Sequence, residues 1–238
     1  MKILYLGDIM ADAGMSVAKE LLPELVAEHQ PDVVVAQAEN VTGGRGMSPE
    51  DMDRLQDLGI DFFTGGNWSG YLPELHARLE DKSSPVIGPA NYGDCPGLGY
   101  KYLHKEGKKV LFVTLLGQIV GRQPENVSNP LVKIDEILEQ ELAKQTPDAV
   151  VVNFHGDYSS EKKIIGHYLD GRVDLVVGDH WHIPTADAMI LPKGTAHITD
   201  VGMCGSLHSS LGVSLDSVIP RWHDGLQTKN VQDDSKPW

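Results

Sequence analysis

Short apolar runs recur along this chain of 238 residues, each closing on polar or glycine-rich positions, with helical patterns between them. The first run, residues 2–6, ends at Gly7-Asp8; residues 32–37 end at Ala38-Glu39-Asn40; residues 61–64 end at Gly65-Gly66-Asn67. Later runs are 110–116, 149–153 leading to His155, 174–177 leading to Gly178 and His180, and 195–199 before Asp200. Ser48 with Asp51 forms a capping-box pattern, with Pro49 at a favoured first helical position. Ser160 is placed to cap a helix running to Tyr168 and closed by Gly171, and 131–144 has apolar residues at helical spacing. A further helix is expected after Trp68 and carries His76. Strands alternating with helices predict a largely parallel sheet covered on both faces. Residues 100–103 and 109–116, turning around Gly107, instead predict an antiparallel hairpin. The mixture points to a layered α/β sandwich of mixed sheets flanked by helices. We expect one domain over 1–230 and a loose polar tail over 231–238.

Composition narrows the function classes. Hydrophobic residues make up 41% and charged residues 23%, so the chain is globular and can bury a sizeable core. Lys plus Arg number 20 against 34 Asp plus Glu, a formal charge of −14. Such a chain makes a poor general nucleic-acid clamp, which needs a cationic face to displace counterions. Small anionic substrates stay open if bound cations offset the field. Cys95 and Cys204 form no CxxC pair, and Met1 leads into the apolar run without a charged, long-apolar leader. A reducing, cytoplasmic setting is expected, with neither secretion nor membrane spanning. Self-association is left open.

The chemistry lies just after the strands. In open α/β sheets the carboxyl ends of strands meet at one edge, where ligands bind. Singly, each polar residue there has an ordinary reading. Asp8, Glu39-Asn40 and Gly66-Asn67 all suit turns, and a lone His155 is more often a hydrogen-bonded structural residue. His180 and His182, two residues apart, can converge on one face of an extended segment. Together they supply two carboxylates, two carboxamides and three imidazoles, the ligands that Fe, Mn or Zn accept. No cysteine joins them. Two ions bridged by a carboxylate could hold a hydroxide and clamp a phosphoryl group for in-line attack.

The series Gly-Asp, Glu-Asn, Gly-Asn, strand-end His and Gly-x-His-x-His resembles the calcineurin-like metallophosphoesterases. It is closest to their compact bacterial branch, which includes 2′,3′-cyclic nucleotide phosphodiesterases. Supporting segments are Gly7-Asp8-Ile9, Ala38-Glu39-Asn40 with Gly43-Gly44, Pro89-Ala90-Asn91-Tyr92, and Phe154-His155 with Ser160-Glu161-Lys162. The stretch from Tyr168 to Val173 and that from Thr185 to Met203 extend the match over nearly the whole chain. The resemblance implies the calcineurin-like fold, and Asp8, Asn40 and His182 on one metal. It places Asn67, His155 and His180 on a second, with Glu39 bridging. It implies two metal ions, Fe or Mn before Zn, and a small phosphodiester or nucleotide substrate opened by a metal-bridging hydroxide. Asn40 stands in for a histidine that larger relatives carry near the first Asp, since Asp8 is followed by Ile9 and Met10.

The chain departs from the family at Gly66-Asn67-Trp68, where the family reads Gly-Asn-His. An imidazole can protonate a leaving alkoxide; an indole N–H only donates a hydrogen bond. Three readings follow. His208, in Gly205-Ser206-Leu207-His208, supplies the proton, against the plainer reading of an exposed loop histidine. Alternatively, Trp68 stacks on a base and favours substrates with good leaving groups. Or the chain is a metal-bound pseudoenzyme that binds a nucleotide or a partner. Arg122 and Arg45 could each neutralise a phosphate or simply be solvated; His76, Trp222 and His223 read as structural or surface residues.

Overall fold

The computed structural model describes residues 1–121 and 125–235. Its strands alternate faces as a period of two requires, and this sorts the core into layers. Strand β1 (Ile3–Leu6), β3 (Val33–Gln37) and β4 (Phe62–Thr64) form a parallel three-stranded sheet in the order β1-β3-β4. The second sheet is mixed, in the order β5-β6-β7-β8-β10-β9. Its strands are β5 (Tyr100–Lys105), β6 (Lys108–Leu116), β7 (Ala149–His155), β8 (Leu175–Asp179), β9 (Met189–Ile190) and β10 (Ala196–Ile198). β6, β7, β8 and β10 run parallel; β5 pairs antiparallel to β6 as the expected hairpin, and β9 antiparallel to β10. A short pair, β2 (Asp8–Ile9) with β11 (Met203–Cys204), ties the end of the first strand to the C-terminal third.

The two larger sheets pack face to face. Val33 and Val35 of β3 and Phe62 of β4 meet Val110 and Phe112 of β6 and Val151 of β7 in one buried cluster. The Phe62 and Phe112 rings stack across it with centroids 4.2 Å apart. The alternate residues point outward. Val34 and Ala36 pack with Ala18 and Leu22 of helix α1 (Ala11–His29) and Met52 and Leu55 of α2 (Pro49–Asp57). Leu111, Val113, Val150 and Val152 pack with Ile134 and Leu138 of α4 (Pro130–Lys144) and Ile165 of α5 (Ser159–Leu169). A short α3 (His76–Glu80) and a C-terminal α6 (Leu215–His223) complete the order. The result is the expected layered sandwich of mixed sheets between helices.

Local signals hold in part. The Ser48 hydroxyl accepts from the Asp51 amide at 3.1 Å, as its capping box predicts. α4 starts one residue earlier than its apolar spacing, capped by Asn129. α5 starts at Ser159 with no side-chain cap, so the expected Ser160 cap is corrected. Gly171 does follow its end in a left-handed conformation (φ 80°). Trp222, expected to be structural, is 83% exposed on α6. The stretch 231–235, expected to be loose, is tied down: Ser214 N–H donates to the Val231 carbonyl at 2.8 Å and Asp233 N–H to Gly212 at 3.0 Å. Among the described residues, no helix is long and apolar enough to cross a membrane.

Candidate metal centre

Five chain segments deliver the polar residues to one place. Asp8 opens β2 and is fully buried. Glu39 and Asn40 follow β3, Asn67 follows β4, His155 ends β7, and His180 and His182 follow β8. Asn40 Nδ2 donates to Asp8 Oδ2 at 2.5 Å, and His182 Nε2 lies 2.9 Å from the same oxygen. His155 Nε2 lies 2.9 Å from Glu39 Oε1 and 3.0 Å from Asn67 Oδ1. Glu39, His155 and His180 present ligand atoms all within 4.8 Å of one another. The His155 and His180 rings meet edge to face at 4.5 Å. All seven residues read from the sequence as a ligand set thus fall into two touching subgroups, with Glu39 beside the second.

Backbone geometry makes the approach possible. A side chain at Gly66 would come within 2.5 Å of the His155 ring, so only glycine lets the Asn67 loop reach it. His180 and His182 hold positive φ of 98° and 60°. They leave β8 through strained turns, which corrects the extended segment expected for them. Strain of this kind costs on the order of 1–3 kcal/mol per residue and gathers at functional sites. Trp181, between them, also lines the cleft and is anchored: its amide donates to Asp200 Oδ2 at 2.9 Å and its indole to the Asp157 carbonyl at 3.0 Å. Anchoring Trp181 fixes the segment that carries the two flanking imidazoles.

Several supporting residues were not read from the sequence. Asp179 is fully buried and its carboxylate accepts from His155 Nδ1 at 2.7 Å, which leaves Nε2 to face Asn67 and Glu39. Asn153 Nδ2 donates to the other Asp179 oxygen at 2.5 Å. Lys162, with no exposed surface, bridges the Asp179 carbonyl and Asp200 Oδ2, the latter at 2.6 Å. The one signal for Asp179 was its place between Gly178 and His180 at the end of an apolar run.

The charges are tightly balanced. Burial penalises a charged His155, but Glu39 and Asp179 outweigh it and raise its pKa to about 10. His180 is pushed down to about 2 by burial and by the nearby His155, His182 and Lys162. Against these, two buried ligand atoms have no hydrogen-bond partner, Asp8 Oδ1 and His182 Nδ1, and Glu39 Oε1 faces only His155 Nε2. Buried polar atoms are seldom left so, and two in one cluster of carboxylate and imidazole donors fit a cation. The donor set therefore suits a metal centre.

The remaining candidates divide. Trp68 is half-buried; its amide donates to Glu39 Oε2 at 2.7 Å, its ring meets Tyr71 edge-on, and Arg45 lies over it at 4.8 Å. With Glu39, Asn40, His180 and His182, it lines a cleft of about 390 Å³. His208 is exposed and is not among the residues lining that cleft. His76 Nε2 bonds the Gly70 carbonyl at 2.9 Å, a structural role. Arg122 lies outside the described residues.

A sequence model of the family described as YmdB-like protein matches residues 4–237. The chain is 35% identical over 230 residues to a 2′,3′-cyclic-nucleotide 2′-phosphodiesterase of Bacillus subtilis, covering 96% of this chain and 85% of that one. It superposes on the crystal structure of a novel phosphatase from Mycoplasma pneumoniae with a TM-score of 0.89 at 30% identity, covering 100% of this chain and 84% of that one. The crystal structure of a hypothetical protein from Thermus thermophilus matches at a TM-score of 0.89 and 35% identity, covering 100% of this chain and 90% of that one.

Proposed function

For this chain, which belongs to the YmdB-like family, we propose a metal-dependent phosphodiesterase that opens 2′,3′-cyclic nucleotides. The observation that carries the proposal is the convergence of seven ligand-type residues around the buried, unpartnered Asp8 Oδ1 and His182 Nδ1, with Glu39 Oε1 against His155. We infer that Asp8, Asn40 and His182 hold one cation and Asn67, His155 and His180 another, with Glu39 shared. Iron or manganese suits a set rich in imidazole better than magnesium does. When bound, two such ions supply Lewis acidity at a phosphoryl oxygen and lower the pKa of water.

The chain's own residues set the rest. Asp179 fixes the His155 ring, and the Trp68 amide fixes Glu39. The Trp68 indole at the mouth can stack on a base or donate one hydrogen bond, but it holds no proton to give. Arg45 beside it adds positive charge for an anionic substrate. A cytoplasmic setting accords with two free cysteines. The test is metal analysis of freshly purified protein, paired with hydrolysis of a 2′,3′-cyclic nucleotide with added Mn or Fe. Two metals per chain and turnover are expected. Glu39→Ala should lose more metal than any single histidine change; retention of both metals there would defeat the shared-ligand assignment.

Trp68 also favours a second reading, a metal-loaded pseudoenzyme that binds a nucleotide or partner. It would take the lead if the loaded protein stayed inert towards every phosphodiester.

A further inference from the structure

In a chain of formal charge −14, one concavity is lined by cations. Arg45, Arg221 and Lys229 face a cleft of about 540 Å³ together with Gly44, Asn230 and Gln232, and none of its described lining residues is a carboxylate. None of the three cations makes an ion pair among the described residues, whereas eight other Lys and Arg residues do. Arg221 is held in place: Nη2 donates to the Thr228 carbonyl at 3.0 Å and Asn230 Oδ1 at 2.8 Å. Gln232 Nε2 donates to the Gly43 carbonyl at 3.3 Å, which closes the floor against the glycine loop.

This cleft adjoins the candidate metal centre. The loop 40–45 runs from Asn40, which bonds Asp8, directly to Arg45. The Arg45 guanidinium rests on the Trp68 ring, and Trp68 lines the other cleft. Leu211 lines the metal-centre cleft and Val213 the cationic one, so a second segment is also shared. Guanidinium and ammonium groups recognise phosphate through charge-assisted hydrogen bonds, and a held arginine loses little entropy in doing so.

Resting on the phosphodiesterase reading, we propose that this cleft binds a second phosphate of the substrate. The scissile cyclic phosphate sits at the metal centre, and a phosphate on the 5′ side of the same nucleoside enters between Arg45, Arg221 and Lys229. The substrate class is then a 2′,3′-cyclic phosphate bearing a 5′ phosphate, either as a mononucleotide or at the end of an oligonucleotide.

Binding to the metal-loaded protein tests this without turnover. By calorimetry, adenosine 3′,5′-bisphosphate should bind about tenfold or more tightly than adenosine 3′-monophosphate, with a margin that shrinks as salt screens it. Lys229→Glu and Arg221→Ala should each remove most of that margin while leaving adenosine 3′-monophosphate binding unchanged. Lys229 is exposed, so its variant tests the site even if Arg221→Ala loosens the 217–230 segment. A dinucleotide ending in a 3′-phosphate separates the sources: a margin equal to the bisphosphate's supports the proposal with an oligonucleotide end, and a smaller one supports it with a terminal monoester. Equal affinity for bisphosphate and monophosphate, or a margin that survives Lys229→Glu, would overturn the subsite. Failure of the bisphosphate to bind would do the same. An intact margin in a protein that hydrolyses no phosphodiester would defeat the functional reading and leave the subsite standing.

Discussion

Trp68 touches the candidate centre through its backbone and leaves the proton question to its side chain. Its amide, not its indole, donates to Glu39 Oε2, so Trp68→His should keep Glu39 in place while adding an imidazole at the mouth. An activated aryl leaving group departs without a proton, whereas a ribose alkoxide needs one. The variant should therefore raise turnover of a 2′,3′-cyclic nucleotide by about 10²-fold and that of an aryl phosphodiester far less, read as kcat on the two substrates. His208→Ala should leave both unchanged, since His208 is exposed and outside the lining of the cleft; a selective loss on the cyclic nucleotide would restore it as the acid. Behind the centre, Asp179 accepts from His155 Nδ1, and Asn153 fills its other oxygen. Asp179→Asn turns an amide NH₂ towards either the Asn153 NH₂ or the His155 N–H. Metal affinity should fall about 10–100-fold, measured by titration with Mn. At this scale the candidate ligands could be picked out because each follows an apolar run at a strand end. Asp179 could not, because its neighbour His180 offered the plainer metal-ligand reading and the contact to His155 joins strands 24 residues apart.

Elements were legible where local chemistry marks them and lost where tertiary packing overrides it. α2 has a proline and a serine cap at its start, and α4 an asparagine cap with apolar residues at helical spacing. α1, the longest helix described, carries Gly14 and Pro23 inside it and no side-chain cap. It is held instead by burial of Ala18 and Leu22 against the first sheet. α6 has Pro220 inside and no buried residue, so neither capping nor an apolar face against the core announced it. Within the segment between β8 and β10, one carboxylate gathers four donors. Asp187 accepts from the hydroxyls of Thr185 and Thr199, from the Thr199 amide and from Lys163. Burial opposes its charge, but these donors outweigh burial and hold the carboxyl well below its ordinary value. A depressed folded pKa means the unfolded chain takes the proton first as pH falls. The stability Asp187 contributes is therefore complete above about pH 4 and is lost as pH drops through the folded value. Asp187→Asn should cost about 1–3 kcal/mol at neutral pH, with the gap to the parent chain closing towards strong acid. Thermal unfolding across pH checks it; a gap that is constant with pH would show that charge is not what matters there.

The molecule as a whole places its candidate centre across a seam. Asp8, Glu39, Asn40 and Asn67 follow strands at the first-sheet side, while His155, His180 and His182 follow strands of the second. The layered sandwich was legible because alternating strands demand two covered faces, but the pairing of sheets was not, since it rests on contacts such as Phe62 on Phe112. Phe112→Ala opens that interface and should cost about 3–5 kcal/mol. A cation held from both sides binds only the assembled seam, so it stabilises the native state by mass action, about 2.7 kcal/mol at a hundredfold excess over Kd. Manganese should therefore raise the unfolding midpoint of the parent chain and restore much of what Phe112→Ala removes, while a chelator lowers both. Glu39→Ala supplies the control. It removes the carboxylate beside His155 without touching the Phe62–Phe112 stack, so its midpoint should respond little to manganese. Equal rises in the parent chain and in Glu39→Ala would mean that the ion binds elsewhere and does not join the two sheets.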